Sequence, residues 1–484
     1  MDSQLKVLLV ATEATPFTKV GGLADVAGAL PKALRRIGVD ARLMIPRYGD
    51  IRSSDYEFQR VGGSVPVPVG SDQEPVHLLQ TTAGDVPVYL IWNDQYLSNR
   101  ERVYGFNDDS QRFVFFSRAV TEALKTMDWK PDVVHANDWH TAAALVWLDV
   151  YGRSDECYKD IATLFTVHNM SYQGLCGRLI LTFAGMPDVP HLEVEPPGQV
   201  NWLAQGIAHA DLTSTVSPTY AREMLSGEID PTLVSLLEQK KDTLFGILSG
   251  IDTELWDPSQ DEALTQTYDQ DSVKMRSVNK TAFQRELRLP VDLDIPLLGV
   301  VSRLDTLKGL DLILSAVESL IDRSDIQFVL LGTGDPEYEA RFQDLQSRFP
   351  QNVRALIRFD DRMARRIYSS VDLFVLPSRA EASSMGQMTA MHYGAVPVVR
   401  AVGGLADTVV DADADPSRGT GFTFRDYATE ALQETLIRAL NAFGDSNRWR
   451  AIQRRAMGCD FSWAASARAY VDLYRRAVAQ HKEK

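Results

Sequence analysis

The sequence predicts an α/β protein of two domains, each a parallel sheet with crossover helices. Three observations carry this. Runs rich in Val, Ile and Leu alternate with helical patterns along the whole chain, and such near-continuous apolar runs suit strands covered on both faces. The 484 residues exceed one ordinary core and match two large domains plus tails. The hexapeptide Val-Gly-Gly-Leu-Ala-Asp occurs at 20–25 and again at 402–407, each time between an apolar run and a helix-like stretch. A Gly pair at such a turn lets the backbone approach a ligand and leaves the first helical N–H groups to face an anion. One turn near each end points to two similar halves with an anionic ligand between them. Tight-turn punctuation is the plainer alternative.

In chain order, strands are expected at 6–11, 41–45, 86–92, 132–135, 162–167 and 212–216, then at 296–301, 327–331, 353–357, 372–376 and 396–399. Helical periodicity falls between them, at 22–37, 112–127, 141–150, 310–321, 363–369 and 387–393. The turn-rich, polar stretch 249–271 divides the chain, and a fresh strand–helix alternation begins after Pro290. The tail 463–480 reads as one amphipathic helix with Ala467, Tyr470, Leu473, Tyr474 and Val478 on one face.

Composition narrows the class. Hydrophobic content of 45% and charged content of 24% are those of a globular protein. A net charge of −15 argues against nucleic acid as a partner, because phosphate tracking needs a basic face. Cys157, Cys176 and Cys459 show neither metal-ligand spacing nor a disulfide framework, which favours a reducing cytoplasm. The start Met1-Asp-Ser-Gln-Leu-Lys lacks a signal-peptide pattern, and no apolar run is long enough to span a bilayer.

Ligands of open parallel sheets bind beyond the carboxyl ends of strands. Polar clusters follow several expected strands: His-Ala-Asn-Asp-Trp-His at 135–140, Thr-Val-His-Asn-Met-Ser-Tyr-Gln-Gly at 166–174, Ser-Arg-Leu-Asp-Thr-Leu-Lys-Gly at 302–309 and Pro-Ser-Arg-Ala-Glu at 377–381. Arg303 and Lys308 combine a planar fork with a point charge, a useful pair for a diphosphate, with surface ion pairing as the alternative. His168 suits a base or hydrogen-bonding role, with a structural histidine as its alternative. Asp138 beside Trp139 suits a sugar subsite, a carboxylate for hydroxyls and a ring face for the sugar, or else a helix N-cap beside a core ring. Glu381 could accept from sugar hydroxyls or stabilise developing positive charge, or merely favour a helix N-terminus. No nucleophile elbow, Walker lysine loop, zinc motif or full dinucleotide fingerprint is present.

Together these segments resemble the bacterial glycogen synthase and plant starch synthase family, retaining glucosyltransferases of the GT-B fold with two facing Rossmann-like domains and an interdomain cleft. The likeness begins with Thr-Glu-Ala-Thr-Pro-Phe-Thr-Lys-Val-Gly-Gly-Leu-Ala-Asp-Val at 12–26 and runs through 107–113, 135–140, 166–174, 216–223 and 246–258. It continues through 302–310, 331–336, 377–381, 401–409 and Phe-Ser-Trp at 461–463. The resemblance implies an acceptor-side domain at 1–255, a nucleotide-sugar domain at 256–460, and a terminal helix at 461–484 that packs back on the first domain. It implies that Lys19, Gly21 and Gly22 contact the donor diphosphate and that Arg303 and Lys308 neutralise it as it leaves. Glu381 would lie by the donor glucose, His168 would face the reacting sugar, and Asp138 would help place sugars. Phe359 would stack on the base, and Gly403 and Gly404 would present backbone amides. Glu13 and Tyr104 would lie along the acceptor path. No metal or other cofactor is implied.

The chain departs from the family pattern at several positions. Glu-Ala-Ser-Ser-Met at 381–385 stands for Glu-Pro-Cys-Gly-Leu, so Ser384 replaces a glycine, and Ala380 replaces a Phe. Ser249 stands for Asn and Ala204 for Lys, while 177–197 has no recognisable family counterpart. The expected activity is transfer of glucose from ADP-glucose to the non-reducing end of an α-1,4-glucan with retention, domain closure excluding water. The rivals are a GT-B enzyme using UDP-glucose or another nucleotide sugar, and a catalytically weak glucan-binding scaffold.

Overall fold

The computed structural model describes residues 4–52, 54–100 and 102–483. Residues 1–3 of the N-terminal stretch and the last residue of the expected terminal helix lie outside them. The chain folds as two compact units, one of residues up to Gly250 together with those from Trp463 onward, the other Ile251–Ser462. The chain enters unit 2 at Ile251, earlier than the expected boundary after 255, because Ile251 already bonds to the end of that unit: its N–H donates to Phe461 O at 2.8 Å.

Unit 1 holds β1 (Lys6–Val10), β2 (Asp40–Pro46), β3 (Gln59–Val69), β4 (Asp72–Ala83), β5 (Val86–Trp92), β6 (Val133–Asn137), β7 (Ala162–Val167), β8 (Leu175–Gly177), β9 (Gln199–Asn201), β10 (Leu212–Thr215) and β11 (Leu244–Gly246). One nine-stranded sheet runs β11-β10-β7-β6-β1-β2-β5-β4-β3. It is parallel except for β4, which pairs antiparallel with both β5 and β3. The β3–β4 hairpin escaped the sequence reading because Gly62, Gly63, Pro66, Pro68 and Pro75 disguise it. Gly62, Gly63, Pro66 and Pro68 are tolerated because β3 is the sheet edge, and Pro75 because it precedes the part of β4 that pairs with β5, which begins at His77. β8 and β9 form a separate antiparallel pair that brackets the unrecognised 177–197 segment.

The Trp463–Glu483 helix belongs to unit 1 and packs on the Gly22–Arg36 helix. Ala467, Tyr470, Leu473 and Tyr474 are buried as the periodicity requires, each large one contributing about 1.5–3 kcal/mol. Ala477 is fully buried on the same face, whereas Val478 is only partly so. Tyr474 also reaches the sheet, its hydroxyl lying 2.9 Å from His135 Nδ1.

Unit 2 holds β12 (Leu297–Val301), β13 (Gln327–Gly332), β14 (Val353–Ile357), β15 (Leu373–Leu376), β16 (Val396–Arg400) and β17 (Phe422–Phe424). All pair parallel, in the order β14-β13-β12-β15-β16-β17. In each sheet the winding reverses once, between β1 and β6 in unit 1 and between β12 and β15 in unit 2. Loops leave a parallel sheet in opposite directions at such a switch point and open a crevice beyond the strand ends.

Candidate active site

The unit 1 crevice is built from the loops after β1, β6 and β7. The loop after β1 turns back so that Glu13, only 3% exposed, meets the first hexapeptide. Its Oε2 accepts from Val20 N and from Gly21 N, the latter at 2.9 Å. Its Oε1 accepts from the Tyr104 hydroxyl at 3.2 Å. The amides freed by the Gly-Gly turn therefore face a carboxylate, the arrangement expected of an anion at a helix start. Gly22 opens onto space, with no atom within 4 Å of a would-be Cβ. Lys19 lies on the surface and pairs with Asp25 at 2.8 Å, a solvated contact that leaves it easily recruited.

Asp138 follows β6 with φ 58° and ψ 171°, a backbone region nearly reserved for glycine. The strain, of order ~1–3 kcal/mol, is held by bonds from both sides. Asp138 N donates to Thr166 O at 2.9 Å, and Asp138 Oδ1 accepts from His168 N at 2.8 Å. The side chain makes no helix-cap bond, so the N-cap alternative does not hold. Burial raises its carboxyl to about 7, against the pull of the His168 and Asn169 N–H groups.

His168 Nε2 lies 2.9 Å from Asn137 Oδ1. Asn137 donates its amide to Val10 O at 3.1 Å, so its oxygen accepts and the network assigns the imidazole proton to Nε2. Burial lowers His168 to about 4, with the Glu13 carboxylate pulling the other way. Near neutral pH it is an uncharged imidazole. The Trp139 ring expected to offer a face to sugar stacks on His140 at 4.1 Å and abuts Gly174. Gly174, at φ +65°, leaves no room for a Cβ there. Trp139 is thus packed within the unit.

In unit 2 the loops after β12 and β15 meet. Arg303 is exposed and, among the described residues, pairs with Asp305 alone, at 3.4 Å. Lys308 closes the Thr306–Lys308 turn before the Leu310–Ile321 helix, and its Nζ lies 2.7 Å from Glu381 Oε2. Ser378 Oγ donates to the same oxygen at 3.0 Å, and Arg379 N donates to Leu307 O at 2.8 Å. Arg400, the last residue of β16, donates through Nη1 to Arg379 O at 2.8 Å and through Nε to Arg425 O at 2.7 Å.

The second hexapeptide presses on this loop. Gly403 has φ +42°, and a Cβ there would lie 1.8 Å from Glu381 O. Gly404 N is directed at Glu381 O and Ala382 O, at 3.3 and 3.2 Å, not at open space as expected. The reason is packing: the turn is the wall behind Glu381. Phe359, after β14, is 81% exposed. Ser384, where the family has glycine, keeps an ordinary negative φ, and its Oγ accepts from Gly386 N at 3.2 Å.

Two cavities lie elsewhere and include none of these residues: one of about 810 Å³ in unit 1 beside Tyr56, Phe58 and Trp92, and one of about 740 Å³ in unit 2.

A family model described as starch synthase catalytic domain matches residues 6–239, and one described as glycosyl transferases group 1 matches 286–455. The chain is 40% identical to a glycogen synthase of Geotalea uraniireducens over 98% of this chain and 99% of that one. It is 41% identical to glycogen synthases of Moorella thermoacetica, over 100% and 99%, and of Thermotoga maritima, over 98% and 99%. The chain belongs to the glycogen and starch synthase family.

It is a glycosyltransferase of the glycogen/starch synthase type. The catalytic domain of starch synthase IV from Arabidopsis thaliana, solved with ADP and acarbose, superposes with TM-score 0.89 at 32% identity, covering 99% of this chain and 100% of that one. Sucrose-phosphate synthase from Thermosynechococcus elongatus, at 18% identity and TM-score 0.62 over 98% of this chain and all of that one, shares the GT-B fold. No helix among the described residues is long and apolar enough to cross a membrane.

Three residues that hold the candidates were not singled out from sequence. Asn137 orients His168, Ser378 bonds Glu381, and Arg400 bonds the carbonyls beside it. Each lies at a strand end or in the turn after one, which is the signal that could have found it.

Proposed function

We propose that the chain transfers glucose from ADP-glucose to the non-reducing end of an α-1,4-glucan, with retention at the anomeric carbon. The observation that carries this is the Lys308–Glu381 pair at the unit 2 switch point, flanked by exposed Arg303 and backed by the second Gly-Gly turn. Unit 2, as the nucleotide-sugar domain, uses Arg303 and Lys308 to neutralise the departing diphosphate, the electrostatic share of catalysis. Glu381 accepts from donor-sugar hydroxyls, and Phe359 offers its exposed ring to the base.

Unit 1, as the acceptor-side domain, contributes Lys19 and the Gly21 and Gly22 amides to the diphosphate, with Glu13 holding the Val20 and Gly21 amides until the donor arrives. Asp138, His168 and Tyr104 position glucan hydroxyls. The relatives named glycogen synthase and the neighbour solved with ADP and acarbose support these substrates. A cytoplasmic location is part of the same reading, supported by three free cysteines.

UDP-glucose remains the rival donor because Ser384 engages Gly386 N, at the start of the helix beside Glu381. A donor panel assayed with glycogen tests the reading. Turnover with ADP-glucose well above that with UDP-glucose is expected. Preference for UDP-glucose overturns the donor assignment, and glucan binding without transfer from any nucleotide sugar overturns the enzymatic one. Arg303→Ala should lower turnover by about 10²-fold, and near-normal turnover would sink its role.

A further inference from the structure

The side chain that holds His168 does more than orient it. β6 and β7 pair with Asn137 opposite Thr166, which sets Asn137 beside the turn that carries His168. Asn137 is 2% exposed. Its amide nitrogen donates to Val10 O at 3.1 Å and to His135 O at 3.3 Å, which uses both protons. Both partners are backbone carbonyls and can only accept. A flipped amide would set oxygen against oxygen, so the sheet fixes the orientation. Oδ1 is left for His168, and it too can only accept. The imidazole nitrogen 2.9 Å away, Nε2, therefore carries the proton.

The consequence falls on the other ring nitrogen. In a neutral imidazole protonated at Nε2, Nδ1 is an acceptor. Nδ1 makes no hydrogen bond among the described residues, and it is not one of their sealed, unpartnered atoms either. His168 is partly exposed, so that lone pair opens on the crevice beyond β7. Three titratable groups face the residue. Glu13 comes from the loop after β1, His135 lies on β6, and Asp138, after β6, accepts the His168 N–H through Oδ1. Burial outweighs the pull of Glu13 and leaves the ring uncharged near neutral pH.

The residue type at 137 matters as much as its position. A carboxylate there would orient the ring equally well and would also stabilise the imidazolium. An imidazolium has two donors and no acceptor. The amide, of the same shape, keeps the orientation, adds no charge and leaves the lone pair free.

We propose that Asn137 is the positioning residue that makes His168 a hydrogen-bond acceptor, with Nδ1 receiving a sugar hydroxyl in the crevice. This rests on the reading of His168 as a sugar-facing residue. The hydroxyl keeps its proton, so the contact places the sugar and involves no acid–base step.

Nitrogen NMR of the full chain, labelled in its histidines and assigned with His168→Gln, reads the tautomer without any substrate. The ring should be the Nε2–H tautomer throughout about pH 6–8. An Nδ1–H tautomer or an imidazolium overturns the assignment. Asn137→Asp should raise the His168 titration into that range. Its turnover should then fall as pH drops and the ring charges, a limb that the wild type lacks. An unshifted titration, or a pH profile like that of the wild type, overturns the role of the amide. Asn137→Leu should lower kcat about 10–10²-fold. ADP-glucose and maltotriose analogues, each lacking one hydroxyl of the reacting residue, locate the contact. On one of them wild type and Asn137→Leu should turn over alike, because the hydroxyl that Nδ1 receives is already gone. The Nε2–H tautomer with an undiminished gap on every analogue overturns the sugar contact, and with it the reading of His168 on which it rests.

Discussion

The two copies of Val-Gly-Gly-Leu-Ala-Asp are identical in sequence and opposite in use. In the first, Val20 is 59% exposed, Gly22 opens onto space, and the Val20 and Gly21 amides hold the Glu13 carboxylate. In the second, both glycines are buried, Gly403 adopts a left-handed conformation, and Gly404 N points at the loop carbonyls of Glu381 and Ala382. The first starts a 15-residue helix, the second a 6-residue one. One glycine pair presents amides to an anion; the other lets a turn lie flat behind a buried ion pair. A shared hexapeptide specifies a strand-to-helix turn and leaves its purpose to whatever packs against it.

The contrast can be broken by mutation. The largest effect is expected where the second copy supports charge. Lys308→Ala should lower turnover about 10²–10³-fold and destabilise unit 2 by leaving Glu381 buried without its cation. Adding Glu381→Gln should recover the melting temperature but not the rate. Recovery of both would show that the pair is structural only.

Gly403→Ala comes next. A Cβ on Glu381 O must displace that loop, so turnover should fall about 10²-fold and the melting temperature should drop as well. Unchanged melting would mean that the second copy is not the wall described here.

Gly22→Ala is the matching change in the first copy and should behave differently. It meets open space, so stability should hold or rise, by up to ~1 kcal/mol, while the donor KM rises several-fold with kcat nearly kept. A fall in stability like that of Gly403→Ala would erase the distinction between the copies.

The smallest effect concerns pH on the first-copy side. Burial raises Asp138 from the usual 3.8 to about 7, so the folded chain holds a proton there that the unfolded chain has released. Relative to Asp138→Asn, the wild type should lose stability as pH rises from about 4 to about 7, and lose no more above that. His168, lowered to about 4, acts with the opposite sign, losing stability as pH falls below its ordinary range toward 4. Unfolding midpoints of wild type, Asp138→Asn and His168→Gln across that range separate the two. A parallel wild-type and Asp138→Asn profile would remove Asp138 from the account.

Much of the architecture was legible because it is local. The apolar runs at 86–92 and 162–167 became strands with the same ends, since burial on both faces writes itself into composition, and the partly buried edge strand at 353–357 kept its ends through its apolar run alone. The β3–β4 hairpin was not, since Gly62, Gly63, Pro66 and Pro68, which its edge strand β3 bears without penalty, interrupt the apolar pattern. The charged residues after β12 and β15 could be named from their place in the chain. That Lys308 would bond Glu381 across 73 residues could not, because pairing of side chains depends on which strands become neighbours.

By itself, the sequence determined the alternation of elements, the two Gly-Gly turns and the inventory of cations and carboxylates near strand ends. Backbone preference and hydrophobic periodicity act over a few residues and survive any packing. The tertiary structure alone decided that Glu13 meets the first turn and Glu381 backs onto the second. It decided that Trp139 is packed, and that Asp138 titrates near neutrality while its neighbour His168 stays uncharged. Those properties depend on desolvation and on contacts between distant segments, and neither exists until the sheets have formed.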